Sequence, residues 1–246
     1  NYCSGDDEHI SLCYLWDIFT YNSKLLLNDI SDYKFNAISS FPSVSKFIKT
    51  IQKKFDTVTL LNEKEIIINE DTEVRAGTII DATKAPVIIG KNVIVDIGVL
   101  IQGPVFIDDN TYIAPGTKIR SGTFIGKNCK VGGEVSFSVI SDYSNKVHDG
   151  FLGHSFVGEW VNIGAGTNNS NLKNDYSTIK FNFSDGKGFI DTKKQFLGAF
   201  IGDYSRIGIS TMLNTGTHIG IGSNIFGAGY QNRLILPFSW GKEKET

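Results

Sequence analysis

The sequence predicts an all-β fold, a parallel β-helix, on the strength of two observations. An aliphatic residue recurs at every sixth position through the centre of the chain, and glycine is frequent, at 26 residues, while proline is rare, at 5. A period of six fits neither an α-helix, with about 3.6 residues per turn, nor the alternation of a single strand, but it fits a chain that turns a corner after each short strand. Glycine without proline is typical of repeated tight turns.

The repeat is longest in the middle of the chain. Eight aliphatic residues are in phase there: Ile89, Val95, Ile101, Ile107, Ile113, Ile119, Ile125 and Val131. The fifth position of each hexad is small or β-branched, from Val93 to Val135, and the phase returns between Ile201 and Ile225. We therefore expect one prism over most of residues 66–228, with three hexads per triangular coil and the aliphatic residue inside.

The predicted domain organisation is a β-helix over residues 66–241 that follows a different N-terminal segment. The phase breaks at 136–156 and 168–196, where we expect loops, because a solenoid tolerates insertions at its corners. Residues 1–60 lack the repeat and show a helical stripe, so we interpret them as a helical segment at the end of an upstream domain. A weaker helix is expected over 43–55, with its lysines facing solvent or, alternatively, a membrane surface.

Composition excludes several functional classes. The 246 residues include 24 basic and 26 acidic ones, for a formal charge of −2, so neither nucleic acid nor a membrane is an expected partner. The 3 cysteines lack CxxC spacing, and the acidic N-terminus does not resemble a signal peptide, which favours the cytoplasm. Because the chain starts at Asn1 and its single methionine is Met212, we expect residues to be missing upstream.

The chemistry-bearing candidates cluster between residues 146 and 173. His148 is a candidate general base for transfer of an acyl group from a thioester to an amine, although Asp149 could instead hold it as a structural cation. Gly164 and Gly166 lack side chains, so their backbone could closely approach a pantetheine or a carbonyl. The asparagines that follow could bind sugar hydroxyls or a phosphate, or simply form a turn-rich loop.

A zinc site is the alternative for the histidines. His148 and His154 are six residues apart, which does not match the ligand pairs of hexapeptide carbonic anhydrases, and no third histidine lies nearby before His218. We therefore expect no metal.

The stretch SNKVHDGFLGHSFVGEWVNIGAGTNNSNLKNDYSTIKF resembles the acetyltransferase domain of bifunctional N-acetylglucosamine-1-phosphate uridyltransferase/glucosamine-1-phosphate acetyltransferase. It is more similar still to a sugar nucleotidyltransferase-like branch that shares HDGFLG, GEW and TNNSNLKN. The resemblance covers roughly residues 66–241. It implies a left-handed β-helix, acetyl-CoA as co-substrate, an amino sugar or amino-sugar phosphate as acceptor, and a homotrimer.

The same resemblance implies residue roles. The family's catalytic histidine falls on His148, its substrate tyrosine on Phe151, which lacks the hydroxyl, and its asparagines on Asn162 and Asn171. Ala165 matches an alanine whose backbone faces the thioester, together with Gly164 and Gly166. The family's phosphate-binding cations have no match, and Arg120, Lys146 or Lys173 are the expected substitutes.

Two functions follow from this comparison. The first is an acetyl-CoA-dependent N-acyltransferase of sugar nucleotide biosynthesis with His148 as its base. The alternative is a non-catalytic, trimerising or regulatory β-helix that supports a sugar-1-phosphate nucleotidyltransferase-like protein, which the loss of the Phe151 hydroxyl favours. Nothing in residues 1–65 resembles the glycine-rich loop of a nucleotidyltransferase.

Overall fold

The computed structural model describes residues 12–19, 21, 23–28, 57–69 and 71–241. These residues form a triangular prism of three parallel sheets with six, nine and eight strands, and the chain passes from one sheet to the next at each corner. The predicted fold class, an all-β parallel β-helix of hexapeptide repeats with a short helical N-terminal segment, is confirmed.

Strands are numbered along the chain. Sheet A contains β1 (Thr59–Leu61), β4 (Ile79–Asp81), β7 (Leu100–Gln102), β10 (Lys118–Ile119), β13 (Glu134–Ser136) and β16 (Phe151–Gly153). Sheet B contains β2 (Ile66–Ile68), β5 (Val87–Ile89), β8 (Val105–Ile107), β11 (Thr123–Ile125), β14 (Val139–Ile140), β17 (Phe156–Val157), β22 (Ala199–Ile201), β25 (Thr217–Ile219) and β27 (Leu234–Ile235). Sheet C contains β3 (Glu73–Val74), β6 (Ile94–Val95), β9 (Tyr112–Ile113), β12 (Lys130–Val131), β15 (Asn145–Lys146), β18 (Asn162–Ile163), β23 (Arg206–Ile207) and β26 (Asn224–Ile225).

Three smaller elements complete the described structure. Strands β19 (Asn168–Asn169) and β24 (Met212–Leu213) pair in parallel, and a 3-10 turn covers Glu63–Glu65. Strands β20 (Lys180–Asn182) and β21 (Phe189–Asp191) form an antiparallel hairpin. The prism begins at β1, a few residues earlier than the predicted start at residue 66.

The interior of the prism is built from the hexad residues. All eight aliphatic residues of the longest repeat are at most 1% exposed, and they belong to one continuous core cluster. Burying each such side chain contributes about 1.5–3 kcal/mol, so the stacked coils stabilise one another. The fifth-position residues Val93, Thr111 and Cys129 are also buried, and burial raises the pKa of the Cys129 thiol to about 12.

The predicted loop at 136–156 is wrong. That segment continues the prism as β14 to β17, and Ile140 and Leu152 are buried inside it. Two features hid the coil from the hexad pattern. The corner between Val131 and Val135 has only three residues, and the inward position of β15 is occupied by Lys146. Val135, expected at a fifth position, pairs with Ile119 and points inward.

The segment after β19 leaves the prism and returns before β22, within the predicted loop at 168–196. Its hairpin packs on the outer face of sheet B, where Phe181 is 0% exposed and contacts Phe200 edge-on at 5.0 Å. Trp16 from the N-terminal segment covers the same cluster, with its ring 5.7 Å from that of Phe181. The excursion is thus held by an aromatic cluster of its own.

Helical residues occur at 17–19, 21 and 23–28, within the region predicted to be helical. Leu26 packs against Ile67 and Ile88 on the outer face of sheet B. The helix expected over 43–55 lies outside the described residues. Within the described ranges, no helix has the length and apolar character needed to cross a membrane.

Candidate functional site

His148 lies at the corner where the chain passes from sheet C to sheet A. Asn145 on β15 pairs with Asn162 on β18, and continuing that register places His148 beside Ala165 of the next coil. The Gly166 amide donates to the Asp149 carbonyl at 2.9 Å, which fixes the contact between the two corners. The His148 side chain is exposed, and within the described part of the chain its ring makes no hydrogen bond. Its nitrogens therefore face solvent beside Ala165.

The glycines of this corner serve the prism itself. A Cβ on Gly164 would lie 2.6 Å from the Ile209 nitrogen of the next coil, and Gly166 has a left-handed φ of 71°. Both amides donate within the prism, to Ile207 and Asp149. These contacts give both glycines a packing role, and their approach to a ligand stays a prediction. The Ala165 amide, by contrast, donates to no group of the described structure, so it is the available donor beside His148.

Phe151 and Asn171 converge over Gly153. A Cβ on Gly153 would lie 2.4 Å from the Phe151 ring and 2.8 Å from Asn171 Nδ2, so the missing side chain makes room for both. The excursion after β19 thus returns Asn171 to the strand that follows the His148 corner. The structure brings these two predicted residues together.

His154 holds Asn171 from the other side. Asn171 Nδ2 lies 2.9 Å from His154 Nδ1, and because an amide nitrogen can only donate, the imidazole accepts there and carries its proton on Nε2. The His154 ring is stacked between Phe137, at 5.0 Å, and Phe196, at 5.2 Å. Burial lowers its pKa to about 4, so the ring is neutral at pH 7.

The other asparagines have separate roles. Asn168 Oδ1 accepts from the Phe151 amide, and Asn169 exchanges two hydrogen bonds with Gly153, so both replace backbone groups beside β16. Asn162 is exposed on the outer face of sheet C, paired with Asn145 and Arg206, and the structure does not bring it to Asn171.

The three expected substitute cations differ sharply. Lys146 is 3% exposed, and its ammonium donates inside the prism, so it cannot meet a phosphate at the surface; its predicted substrate-binding role is corrected. Arg120 forms an ion pair with Glu134 at 3.4 Å on sheet A. Lys173 reaches Ser177 Oγ at 2.5 Å and Asp175 at 3.7 Å.

Lys173 lines a cleft of about 450 Å³ between the excursion and the last coils. Its walls are Ser170, Leu172, Lys173, Asn174, Asp175, Asn214, Thr215, Tyr230 and Arg233. Arg233 donates from Nε to the Thr215 carbonyl at 3.1 Å and from Nη2 to the Lys180 carbonyl, and its guanidinium lies over the Phe189 ring. Sequence reasoning missed Arg233, because its partners come from a distant hairpin.

The remaining described histidine is a structural anchor. His218 Nδ1 donates to the Asn182 carbonyl at 2.9 Å, and its ring stacks on Phe181. Across the described ranges, no three His, Cys, Asp or Glu side chains are grouped as metal ligands would be.

The fold and repeat define the class of this protein, a hexapeptide-repeat parallel β-helix. Two curated relatives share sequence with it. A bifunctional sugar-1-phosphate nucleotidylyltransferase/acetyltransferase of Sulfurisphaera tokodaii is 36% identical over 102 residues, which cover 42% of this chain and 25% of that protein. YaiX of Escherichia coli K12, named as an uncharacterized acetyltransferase, is 36% identical over 158 residues, 63% of this chain and 66% of that protein. The chain therefore spans a quarter of the first relative and about two thirds of the second.

No protein-family model matches the chain. Two solved structures align with most of it. The polysialic acid O-acetyltransferase OatWY is 12% identical, with a TM-score of 0.28, over 77% of this chain and 79% of that one. The polysialic acid-specific acetyltransferase NeuO is 13% identical, with a TM-score of 0.25, over 76% and 79%.

Proposed function

We propose that this chain is an acetyltransferase that uses acetyl-CoA as donor and an amino sugar or amino-sugar phosphate as acceptor. The observation that carries the proposal is the corner at which an exposed His148 lies beside the free amide of Ala165. The names of the two curated relatives support acetyl transfer in general. The amine acceptor rests on the resemblance of this corner to the family in which the equivalent histidine is the base.

The chemistry at this corner needs one base and one donor. The neutral imidazole of His148 takes a proton from the acceptor amine as its nitrogen attacks the thioester carbonyl carbon. The developing oxyanion accepts a hydrogen bond from the Ala165 amide. When the carbon–sulfur bond breaks, the imidazolium returns its proton to the CoA thiolate, and the products are an amide and CoA.

The acceptor is proposed to lie between the His148 corner and the cleft lined by Lys173. Asn171, fixed by His154, offers its Oδ1 to a sugar hydroxyl, and the adjacent Phe151 ring offers an apolar face. Of the three expected cations, Lys173 lines the cleft and is the candidate to bind a phosphate, since Lys146 is buried and Arg120 is paired with Glu134 on sheet A. The presence of Asp175 beside Lys173 weakens the positive charge there, so a neutral amino sugar remains compatible with the cleft.

The alternative is a β-helix that supports a nucleotidyltransferase-like protein without acetyl transfer. Phe151, which lacks a hydroxyl, and the buried Lys146 favour it, because both remove groups that bind substrate in the resembled family. The first relative, whose name includes a nucleotidylyltransferase activity, is about four times longer than its aligned part. Under this alternative, the His148 corner binds no acetyl-CoA.

The test is calorimetric binding of acetyl-CoA, followed by release of free thiol with a panel of amino sugars and their phosphates. His148→Ala should lower kcat by about 10²–10⁴ and leave acetyl-CoA affinity nearly unchanged, because it removes the base and not the donor site. Lys130→Ala, a change of an exposed residue on the outer face of sheet C, is the control and should retain activity. Failure of the unmodified protein both to bind acetyl-CoA and to acetylate any acceptor would leave the supporting role.

The proposed assembly is a homotrimer, which the family resemblance implies. Ile79 and Leu100 are 37% and 41% exposed on the outer face of sheet A, where a second copy of the chain could bury them. Sedimentation at micromolar concentration should show three copies, and a stable monomer would rule out this assembly.

A further inference from the structure

The interior of sheet C contains one cation among aliphatic side chains. Its inward column runs Val74, Val95, Ile113, Val131, Lys146, Ile163, Ile207 and Ile225. Desolvation lowers the pKa of Lys146 to about 8, and the nearby Asp149 charge partly opposes this. An aliphatic side chain would fit the column at no electrostatic cost. A buried lysine at this position therefore requires a physical explanation. Lys146 precedes His148 by two residues.

The main chain at the His148 corner lacks a bond that the following corner has. In three other coils, the carbonyl two residues after the inward position accepts from the next coil: Ala76 from the Gly98 amide at 3.0 Å, Ile97 from the Gly116 amide at 2.9 Å, and Ala165 from the Ser210 amide at 2.7 Å. In the His148 coil, this role passes to Asp149. No backbone amide of the described structure donates to the His148 carbonyl.

Lys146 supplies the missing donor. Its Nζ donates to the His148 carbonyl at 2.6 Å and to the Gly132 carbonyl of the preceding coil at 3.1 Å. Between Val131 and Val135 the preceding corner has three residues, whereas the corner from Lys146 to Leu152 has five. The five-residue corner thus stacks on a three-residue corner. The backbone amides of one corner therefore cannot all pair with the backbone carbonyls of the other. A long side chain from inside the prism bridges them.

We propose that Lys146 is a positioning residue that holds the His148 corner from inside the prism. It binds the main chain on both sides of the mismatch, so the imidazole keeps a fixed position relative to the Ala165 amide. The catalytic consequence rests on the proposed function, whereas the structural part does not. The ammonium never reaches the substrate, and it acts through the backbone of His148 alone.

The test compares Lys146→Met with Lys130→Met, a change of an exposed lysine on the neighbouring strand of the same sheet. Amide hydrogen exchange reports on the corner directly, through the Gly166 and Glu134 amides that donate to Asp149 and Gly150. We expect Lys146→Met to speed exchange of these two amides by about tenfold or more, with sheet amides elsewhere unchanged. Lys130→Met should change neither. Unaltered exchange at the corner in Lys146→Met would overturn the proposal.

Kinetics separate positioning from general stability. With an active protein, Lys146→Met should lower kcat by about tenfold or more and change the KM for acetyl-CoA by less than about twofold, because only the base is displaced. A variant with faster corner exchange and unchanged kcat would overturn the positioning role. If the unmodified protein transfers no acetyl group, the proposed function fails, yet exchange still decides whether Lys146 holds the corner.

A measurement on the unmodified protein covers the case in which Lys146→Met does not fold. NMR of protein with isotope-labelled lysine should show one ammonium whose protons exchange slowly, since Lys146 is buried and doubly bonded. That signal should be retained in Lys130→Met. The absence of any protected ammonium would contradict the proposal.

Discussion

The coil around Ile113 and the coil around Lys146 use the same three sheets in different ways. The Ile113 coil is regular, with five residues between successive inward positions and an aliphatic interior. The Lys146 coil follows a shortened corner, carries a buried cation and presents an exposed histidine. The prism therefore tolerates departures from the repeat where polar side chains can satisfy the displaced backbone groups. All the predicted catalytic chemistry lies next to the irregular coil.

The largest expected effect tests the regular coil. Ile113→Asp should unfold the protein, at a cost of about 3 kcal/mol or more, because a carboxylate in this aliphatic core has no hydrogen-bond donor or cation of the described residues placed to satisfy it. Thermal denaturation measures the effect. Ile97→Asp is the control, since that side chain is 59% exposed at a corner, and it should barely move the midpoint. An unchanged midpoint for Ile113→Asp would show that the assigned register is wrong.

A smaller effect concerns acid stability near the irregular coil. The pKa of His154 is depressed to about 4, so the unfolded chain binds a proton more readily than the folded one between that value and about 6.5. The contribution of the neutral His154 ring to the free energy of unfolding is fully present above about pH 6.5 and is lost as pH falls towards 4. It amounts to about 2 kcal/mol once the partial exposure of the ring is considered.

Denaturant unfolding between pH 4 and 7 measures this slope. His154→Phe should flatten it, and the backbone can accept the change because Phe137 of the preceding coil has a similar left-handed φ, 46° against 49°. His148→Ala, which removes an exposed ring, should leave the slope as it is. An equal slope in His154→Phe would assign the acid sensitivity to another group.

The smallest effect concerns the space shared by Phe151 and Asn171. Gly153→Ala should destabilise the fold by only about 1 kcal/mol, because the atoms nearest to the added methyl are the ends of two side chains and not backbone atoms. It should nevertheless raise the KM for the acceptor severalfold and leave the KM for acetyl-CoA unchanged. Gly186→Ala is the comparison, because at a left-handed φ of 80° it strains an open turn of the hairpin without crowding Phe151 or Asn171, so it should lower stability and leave both KM values unchanged. An acceptor KM that did not change would separate Phe151 and Asn171 from substrate binding.

The sequence predicted the prism because the six-residue spacing of the aliphatic residues identifies which side chains are buried. It did not reveal the coil at 136–156, because the shortened corner after Val131 and the buried Lys146 interrupt the period without interrupting the sheets. A motif in the sequence also indicated His148, Ala165 and Asn171 as site candidates. The sequence could not show that Gly164 and Gly166 pack against the next coil. Those contacts join residues far apart in the chain.

The sequence by itself determined the parallel β-helix, since a six-residue period fits a chain that turns a corner after each short strand and buries every sixth side chain. The family resemblance indicated the neighbourhood of the candidate site. Only the tertiary structure decided which polar residues face solvent. Lys146 points into the prism and His148 points to solvent, although they are only two residues apart. The mismatch between the stacked corners leaves the Gly132 and His148 carbonyls without a backbone donor among the described residues, and the long Lys146 side chain reaches both from inside. Such a mismatch depends on the lengths of two stacked corners, so it cannot be read from the sequence of either coil alone.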